Sequence, residues 1–309
     1  MHGWIGCRSC ISSLVLYLSF HPMTDHAHPP FCAGRVALIT GANTGIGRET
    51  ALRLAHEGMQ VFLAGKSEEK TQPVIDQIRQ ETGRELATWL PLDLADFASI
   101  HRCAELFLAT DLHLNVLINN AGLGGLKGLT RDGFEMAFGV NHLGHFLLTH
   151  LLMPRLKISK PARIVTVSSR AHRLARHIDW DKLTKPSQSF GGIQEYAVSK
   201  LCNILFSAEL SMKLADNGLS TYSVHPGVVS SEFWRAVPAF FRPLAKMRAM
   251  KTPQEGAKTT LYCALEAPLT ETGLYYSDSH ITTPTLLAQD MELADELWRR
   301  SVTWCGLGN

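Results

Sequence analysis

A β-branched run over residues 35–40 ends at a glycine. Thr40-Gly41-Ala42-Asn43-Thr44-Gly45-Ile46-Gly47 follows, then a stretch of helical composition through Glu57 that Gly58 stops. A strand feeding a helix through a glycine turn commits the chain to a crossover connection, and the remaining sequence repeats the pattern. Strands are predicted over 60–64, 87–92, 116–119, 163–168, 220–225 and near 273–277. Between them the composition predicts helices from the cap Ser67 to about 81, from Phe97, around 133–156, over about 195–214 and after Thr252. Thr252-Pro253-Gln254-Glu255 has the residues of a capping box with proline at the first helical position. Alternation with short connections requires right-handed crossovers, hence an α/β fold: one doubly wound parallel sheet with helices on both faces. The alternation accounts for residues 33 to about 280, and the expected division is a leader over 1–32 and a single domain over 33–309.

Composition removes other classes. The 309 residues carry 30 basic and 28 acidic side chains, a formal charge of +2 that implies no nucleic-acid partner; 45% hydrophobic and 19% charged residues rule out intrinsic disorder. Seven cysteines, Cys7, Cys10, Cys32, Cys103, Cys202, Cys263 and Cys305, form an odd, sparse set that fits a reduced compartment. In the leader, the apolar heart over 11–20 is shorter than the ~20 residues that span a bilayer. His21-Pro22-Met23-Thr24-Asp25 offers no small-x-small cleavage site, so secretion is not expected. A start at Met23 and a weak membrane anchor both remain open. The expected location is cytoplasmic, with attachment to a membrane surface also open. Cys7 and Cys10, and His21, His26 and His28, lack partners at metal spacing, so no metal is expected.

The glycine turn lies where a doubly wound sheet receives a dinucleotide. Glycines allow the tight turn and the close approach of backbone N–H groups to a pyrophosphate, and the helix N-terminus adds partial positive charge. Gly41, Ala42, Asn43, Thr44, Gly45, Ile46 and Gly47 are therefore cofactor-binding candidates. An acid about 20 residues beyond the glycines accepts from a ribose 2′-hydroxyl in NAD-binding sheets. Here the chain has Gly65 and then Lys66, a cation and no carboxylate, which favours NADP(H). Asp93, at the third strand's end, is placed to reach the adenine edge or to cap a turn.

Tyr196-Ala197-Val198-Ser199-Lys200 stands early in a helical stretch, which puts phenol and ammonium one turn apart on one face. A nearby cation favours phenolate and so suits a general base. With this motif come Asn119-Asn120-Ala121-Gly122, the run from Phe138 to Phe146 (FGVNHLGHF), Val167-Ser168-Ser169 and His225-Pro226-Gly227, in that order over about 250 residues. The chain resembles the short-chain dehydrogenase/reductases, near the retinol dehydrogenase branch, which usually carries arginine where Lys66 stands.

The resemblance implies a tetrad of Asn141, Ser169, Tyr196 and Lys200. Tyr196 would exchange a proton with the substrate oxygen and Ser169 would hydrogen-bond that oxygen. Lys200 would hold the nicotinamide ribose and lower the tyrosine's pKa, and Asn141 would hold a water linking Lys200 to solvent. Ser168 is the rival of Ser169, since neighbours in an extended segment face opposite ways. Asn119, Gly122, Pro226 and Gly227 join the cofactor candidates, the last three beside the nicotinamide. His142, His145 and His150 lack the spacing of a zinc helix.

Beyond Gly227, Phe233, Trp234, Phe240 and Phe241 crowd nine positions and read as an apolar lid over the strand ends. Packing on a partner subunit or a membrane surface, helped by Arg235, Arg242, Lys246, Arg248 and Lys251, is the competing reading. The expected function is NADP(H)-dependent interconversion of an alcohol and a ketone or aldehyde on a lipophilic substrate, retinol/retinal first. Carbonyl reduction of other lipids or xenobiotics, and a catalytically silent dinucleotide sensor or scaffold, are the alternatives.

Overall fold

The computed structural model describes residues 32–215, 217–227 and 251–308. Its centre is an eight-stranded sheet in the order β3-β2-β1-β4-β5-β6-β7-β8. The strands are β1 (Val36–Thr40), β2 (Gln60–Gly65), β3 (Ala87–Pro91), β4 (Val116–Asn119), β5 (Ala162–Val167), β6 (Leu219–His225), β7 (Leu274–Ser277) and β8 (His280–Ile281). All pair in parallel except β7 with β8. The order reverses between β1 and β4, so the crevice outside the carboxyl ends of those two strands is the switch point where this architecture binds ligands.

Successive strand residues point to opposite faces: Leu38 belongs to one core layer, Ala37 and Ile39 to the other. The second layer is covered by α1 (Gly45–His56), α2 (Glu68–Thr82) and α7 (Pro253–Leu265). The first is covered by α3 (Phe97–Leu108), α5 (Gly144–Ile158), α6 (Ile193–Lys213) and α8 (Met291–Trp304). Local signals set several helix starts. Ser67 accepts from Lys70 N, Asp96 from Ser99 N, and Thr252 and Glu255 form the reciprocal capping box.

Two expectations need correction. The helix predicted around 133–156 is broken. Gly133 lies at φ +86° in a loop, a three-residue helix α4 (Met136–Phe138) starts from Glu135, and a π turn over Gly139–Leu143 precedes α5. Glu135 accepts from Phe138 N at 2.8 Å, which anchors the start; a Cβ on Gly139 would sit 2.3 Å from Thr130 Cγ2, so only glycine fits against that methyl. The alternation also continues past 280: β8 reverses direction, and Asp290 caps α8 by accepting from Leu293 N. The expected leader, apart from Cys32, and the aromatic residues from Phe233 to Phe241 lie outside the described residues.

Candidate active site

The glycine turn leaves β1 with Gly41 at φ +66° and enters α1 with Gly45 at φ +58°, conformations that favour glycine. A Cβ on Gly47 would lie 2.5 Å from both Gly41 O and Asn120 Nδ2, so the helix approaches the turn this closely only without a side chain there. Ala42 is buried, Asn43 and Ile46 are half-buried and Thr44 is exposed. At the start of α1 the Thr44 side chain makes no capping bond and the first turn holds no acid. The positive end of the helix is thus left without a side-chain anion, which fits a pyrophosphate.

Asn119 is not on this turn. Its side chain is buried and its amide donates to Thr149 Oγ1 at 3.0 Å, so it fastens β4 to α5. Asn120 faces the turn instead, with Nδ2 donating to Thr40 O at 2.8 Å. The sequence offered two adjacent amides and no means of telling their faces apart.

At the end of β2, open space lies above Gly65, and Lys66 is exposed. Lys66 Nζ pairs with Asp93 Oδ1 at 2.8 Å, and the same carboxylate oxygen accepts from Ala95 N. Asp93 therefore caps a turn and holds the cation, one of the two readings its position allowed. The ion pair is solvent-exposed, a class worth ~0–1 kcal/mol, so an incoming anion separates it at little cost.

The chemistry-bearing groups gather at the carboxyl ends of β4 and β5. Tyr196 and Lys200 lie one turn apart on α6, with Lys200 Nζ 5.7 Å from the phenol ring centroid. The phenol hydrogen-bonds the Ser169 side chain. Ser168 faces the other way, buried, its hydroxyl donating to Lys200 O at 2.7 Å. Lys200 Nζ donates to Val167 O at 2.9 Å, and a Cβ on Gly122 would come within 3.1 Å of that nitrogen. Asn141, fully buried on the π turn, donates through Nδ2 to Leu123 O at 2.8 Å and Ser199 Oγ at 2.9 Å, and accepts from Leu123 N through Oδ1. Its side chain is spent on fixing the loop after β4.

Burial holds the Lys200 ammonium down at about 7 and pushes the Tyr196 phenol above its ordinary range, while the Ser169 bond pulls the phenol back. The expectation that Lys200 sets the tyrosine's pKa is thus modified: desolvation dominates at both groups, and Ser169 supplies the opposing effect.

Pro226 is buried and Gly227, at φ +90°, packs on Lys251, whose ammonium pairs with Asp278. His142 bonds Ser301 Oγ at 3.0 Å among Phe138, Phe146 and Phe206; His150 stacks on Phe146. Among the described residues no cluster of three metal-ligating side chains forms. Sequence reasoning missed Ser199, Asn203, Thr40 and His145. Asn203, one residue short of the next turn beyond Lys200, donates to the same Val167 carbonyl at 3.1 Å, and only its helical spacing signalled it.

The pattern of the short chain dehydrogenase family matches residues 35–179. Human retinol dehydrogenase 11 is 46% identical over 278 residues, covering 89% of this chain and 86% of that protein. The bovine dehydrogenase/reductase SDR family member 13 is 43% identical over 281 residues, covering 89% and 74%. A crystal structure from Mycobacterium paratuberculosis superposes with a TM-score of 0.72 at 31% identity, covering 89% of this chain and 94% of that one. A short chain dehydrogenase from Shigella flexneri, complexed with NADP, gives 0.64 at 25% identity, covering 82% and 100%.

Proposed function

Because this chain belongs to the short-chain dehydrogenase/reductase family, on its retinol dehydrogenase branch, we propose that it interconverts an alcohol and a ketone or aldehyde on a lipophilic substrate with NADP(H), retinol and retinal being the first pair to test. That the enzyme is an oxidoreductase using a nicotinamide dinucleotide follows from the family. The residue roles, the phosphate on the cofactor and the substrate class are the proposal.

The observation that carries it is the hydrogen bond between Tyr196 and Ser169 beside Lys200, whose ammonium lies against the backbone of Gly122. A bound nicotinamide supplies or accepts hydride. Tyr196 then moves the accompanying proton to or from the substrate oxygen, and Ser169 donates to that oxygen to hold it against the phenol. Lys200, brought up by the bare backbone of Gly122, would hold the ribose. Asn141 acts through the loop it fixes, keeping Leu123 and the adjoining Gly122 in register with Lys200. Lys66 would receive the 2′-phosphate, in a place where β2 ends without a carboxylate.

A lipophilic substrate is supported by the rim. Leu126, Phe190 and Ile193 are 53%, 70% and 43% exposed near the start of the helix that carries Tyr196. Apolar side chains left in water there suit an apolar ligand. Among the described residues no helix is long and apolar enough to cross a membrane. The companion proposal is a cytoplasmic protein that meets its substrate at a membrane surface. The test is NADPH and NADH oxidation against retinal, steroid ketones and simple aldehydes. Turnover of retinal with NADPH above NADH is expected. Dinucleotide binding without turnover of any carbonyl would favour the sensor or scaffold instead.

A further inference from the structure

His145 is the second residue of α5 and is 1% exposed, yet both ring nitrogens are engaged by groups of the site. Nδ1 lies 3.0 Å from Asn141 O, the backbone carbonyl of the π turn. A carbonyl oxygen only accepts, so Nδ1 carries the proton. Nε2 lies 2.8 Å from Thr40 Oγ1, at the end of β1. That hydroxyl already accepts from Asn120 N at 3.0 Å and Ala121 N at 2.9 Å, which fills its lone pairs and leaves only its own proton to give. Ile118 O stands 3.4 Å away and Nε2 stands nearer, so the ring receives it. Each donor in this chain has one acceptor only if the imidazole is neutral and protonated on Nδ1. Burial works to the same end, holding the ring's pKa down at about 4.

We propose that His145 is a positioning residue whose two nitrogens serve different parts of the reaction: Nε2 sets the cofactor turn through Thr40, and Nδ1 sets the π turn that carries Asn141. The ring is planar and rigid, so it fixes the separation of three pieces of chain that are remote in sequence. These are the last residue before Gly41, the loop Asn120-Ala121 that leads to Gly122 beside Lys200, and the turn that pins Leu123. A histidine that merely fills the core would need neither bond in this direction.

The inference rests on the proposed use of the glycine turn and of Tyr196, and its test separates the two. In His145→Gln the amide oxygen stands where Nε2 was and still accepts from Thr40, but the Nδ1 donor is gone. In His145→Asn the amide nitrogen stands where Nδ1 was and still donates to Asn141, but Thr40 is out of reach. His145→Phe keeps neither. We expect His145→Phe to weaken NADPH binding and to slow turnover, each by about tenfold, the scale of one orphaned buried hydrogen-bonding group. Gln should restore the NADPH dissociation constant and not kcat; Asn should restore kcat and not the dissociation constant. Equal losses of both quantities in all three variants, or no loss in any, would overturn the inference. If His145→Phe fails to fold, 15N NMR of the unsubstituted protein decides: a protonated Nδ1 with a bare Nε2 supports it, and the opposite tautomer overturns it. Tyr196→Phe is run alongside. Full turnover in that variant defeats the proposed function. Its loss, without a split among the His145 variants, defeats this inference alone.

Discussion

Ser169 shows how one hydroxyl decides where a proton is exchanged. Burial raises the Tyr196 phenol and the Ser169 bond lowers it, so at neutral pH the tyrosine holds its proton, ready to give it to a carbonyl being reduced. Alcohol oxidation needs the phenolate and should speed up as pH rises into the alkaline range. Removing the bond in Ser169→Ala should move that limb to higher pH and cut kcat by about tenfold or more. Ser168→Ala, which removes a hydrogen bond to the Lys200 carbonyl and none to the phenol, should leave the limb where it was; pH–rate profiles of both variants check this. Lys66 and Asp93 make a second residue-scale case. Asp93→Asn frees the cation, so the ratio of NADPH to NADH affinity should rise by no more than about fivefold in a binding titration, the most a surface pair of ~1 kcal/mol allows. An unchanged ratio in Lys66→Ala, which should lower it, would remove Lys66 from phosphate recognition. At this scale the sequence displayed Tyr196 and Lys200 through helical spacing. It hid the Lys66–Asp93 pair, which exists because β2 and β3 are neighbours, and it hid the faces of Asn119 and Asn120, which two adjacent amides do not declare.

Among the elements, the segment from Glu135 to α5 departs furthest from a simple pattern. Its apolar residues recur at helical spacing, so it reads as one long helix. The interruption comes from tertiary contacts: Gly139 pressed on Thr130, and a buried Glu135 that caps α4 and accepts from Ser187 Oγ at 2.5 Å. π turns inside helices are common at functional sites, and this one carries Asn141. Burial raises the Glu135 carboxyl above its usual range, so a neutral isostere suits the place. Glu135→Gln should fold with a near-normal Tm. Glu135→Ala should lose about 1–2 kcal/mol with the cap, seen as a Tm lower by a few degrees, and some turnover as the Asn141 turn loosens. Equal Tm values for the two variants would show that the cap contributes nothing. The missed α8 has a different cause. Asp290 and the apolar spacing of Ala294 and Leu297 were legible, but the strand–helix alternation gave no reason for one more helix after the last parallel strand.

The whole molecule is a sheet whose neutral interior includes imidazoles. Burial holds His142 at about 3 and His145 and His225 at about 4, against ~6.5 in an unfolded chain. Below 6.5 the unfolded state takes up protons that the folded state refuses. The stability these rings contribute is complete above that pH and is lost as pH falls toward 4, by up to ~1.4 kcal/mol per pH unit for each ring. Thermal unfolding of the full chain should show Tm falling between pH 6.5 and 4.5; a flat Tm there would mean the rings are reached by water. The architecture itself was legible because alternating elements with short connections admit almost one answer, and the reversal of strand order brings the glycine turn and the tyrosine helix to one mouth. What the molecule does rests on a single proton passing through Tyr196, and the direct test is NADPH-dependent retinal reduction by Tyr196→Phe with NADPH binding measured on the same sample. The account predicts kcat lower by about 10²–10⁴-fold with NADPH affinity within about threefold of the parent. Turnover near the parent rate would contradict it.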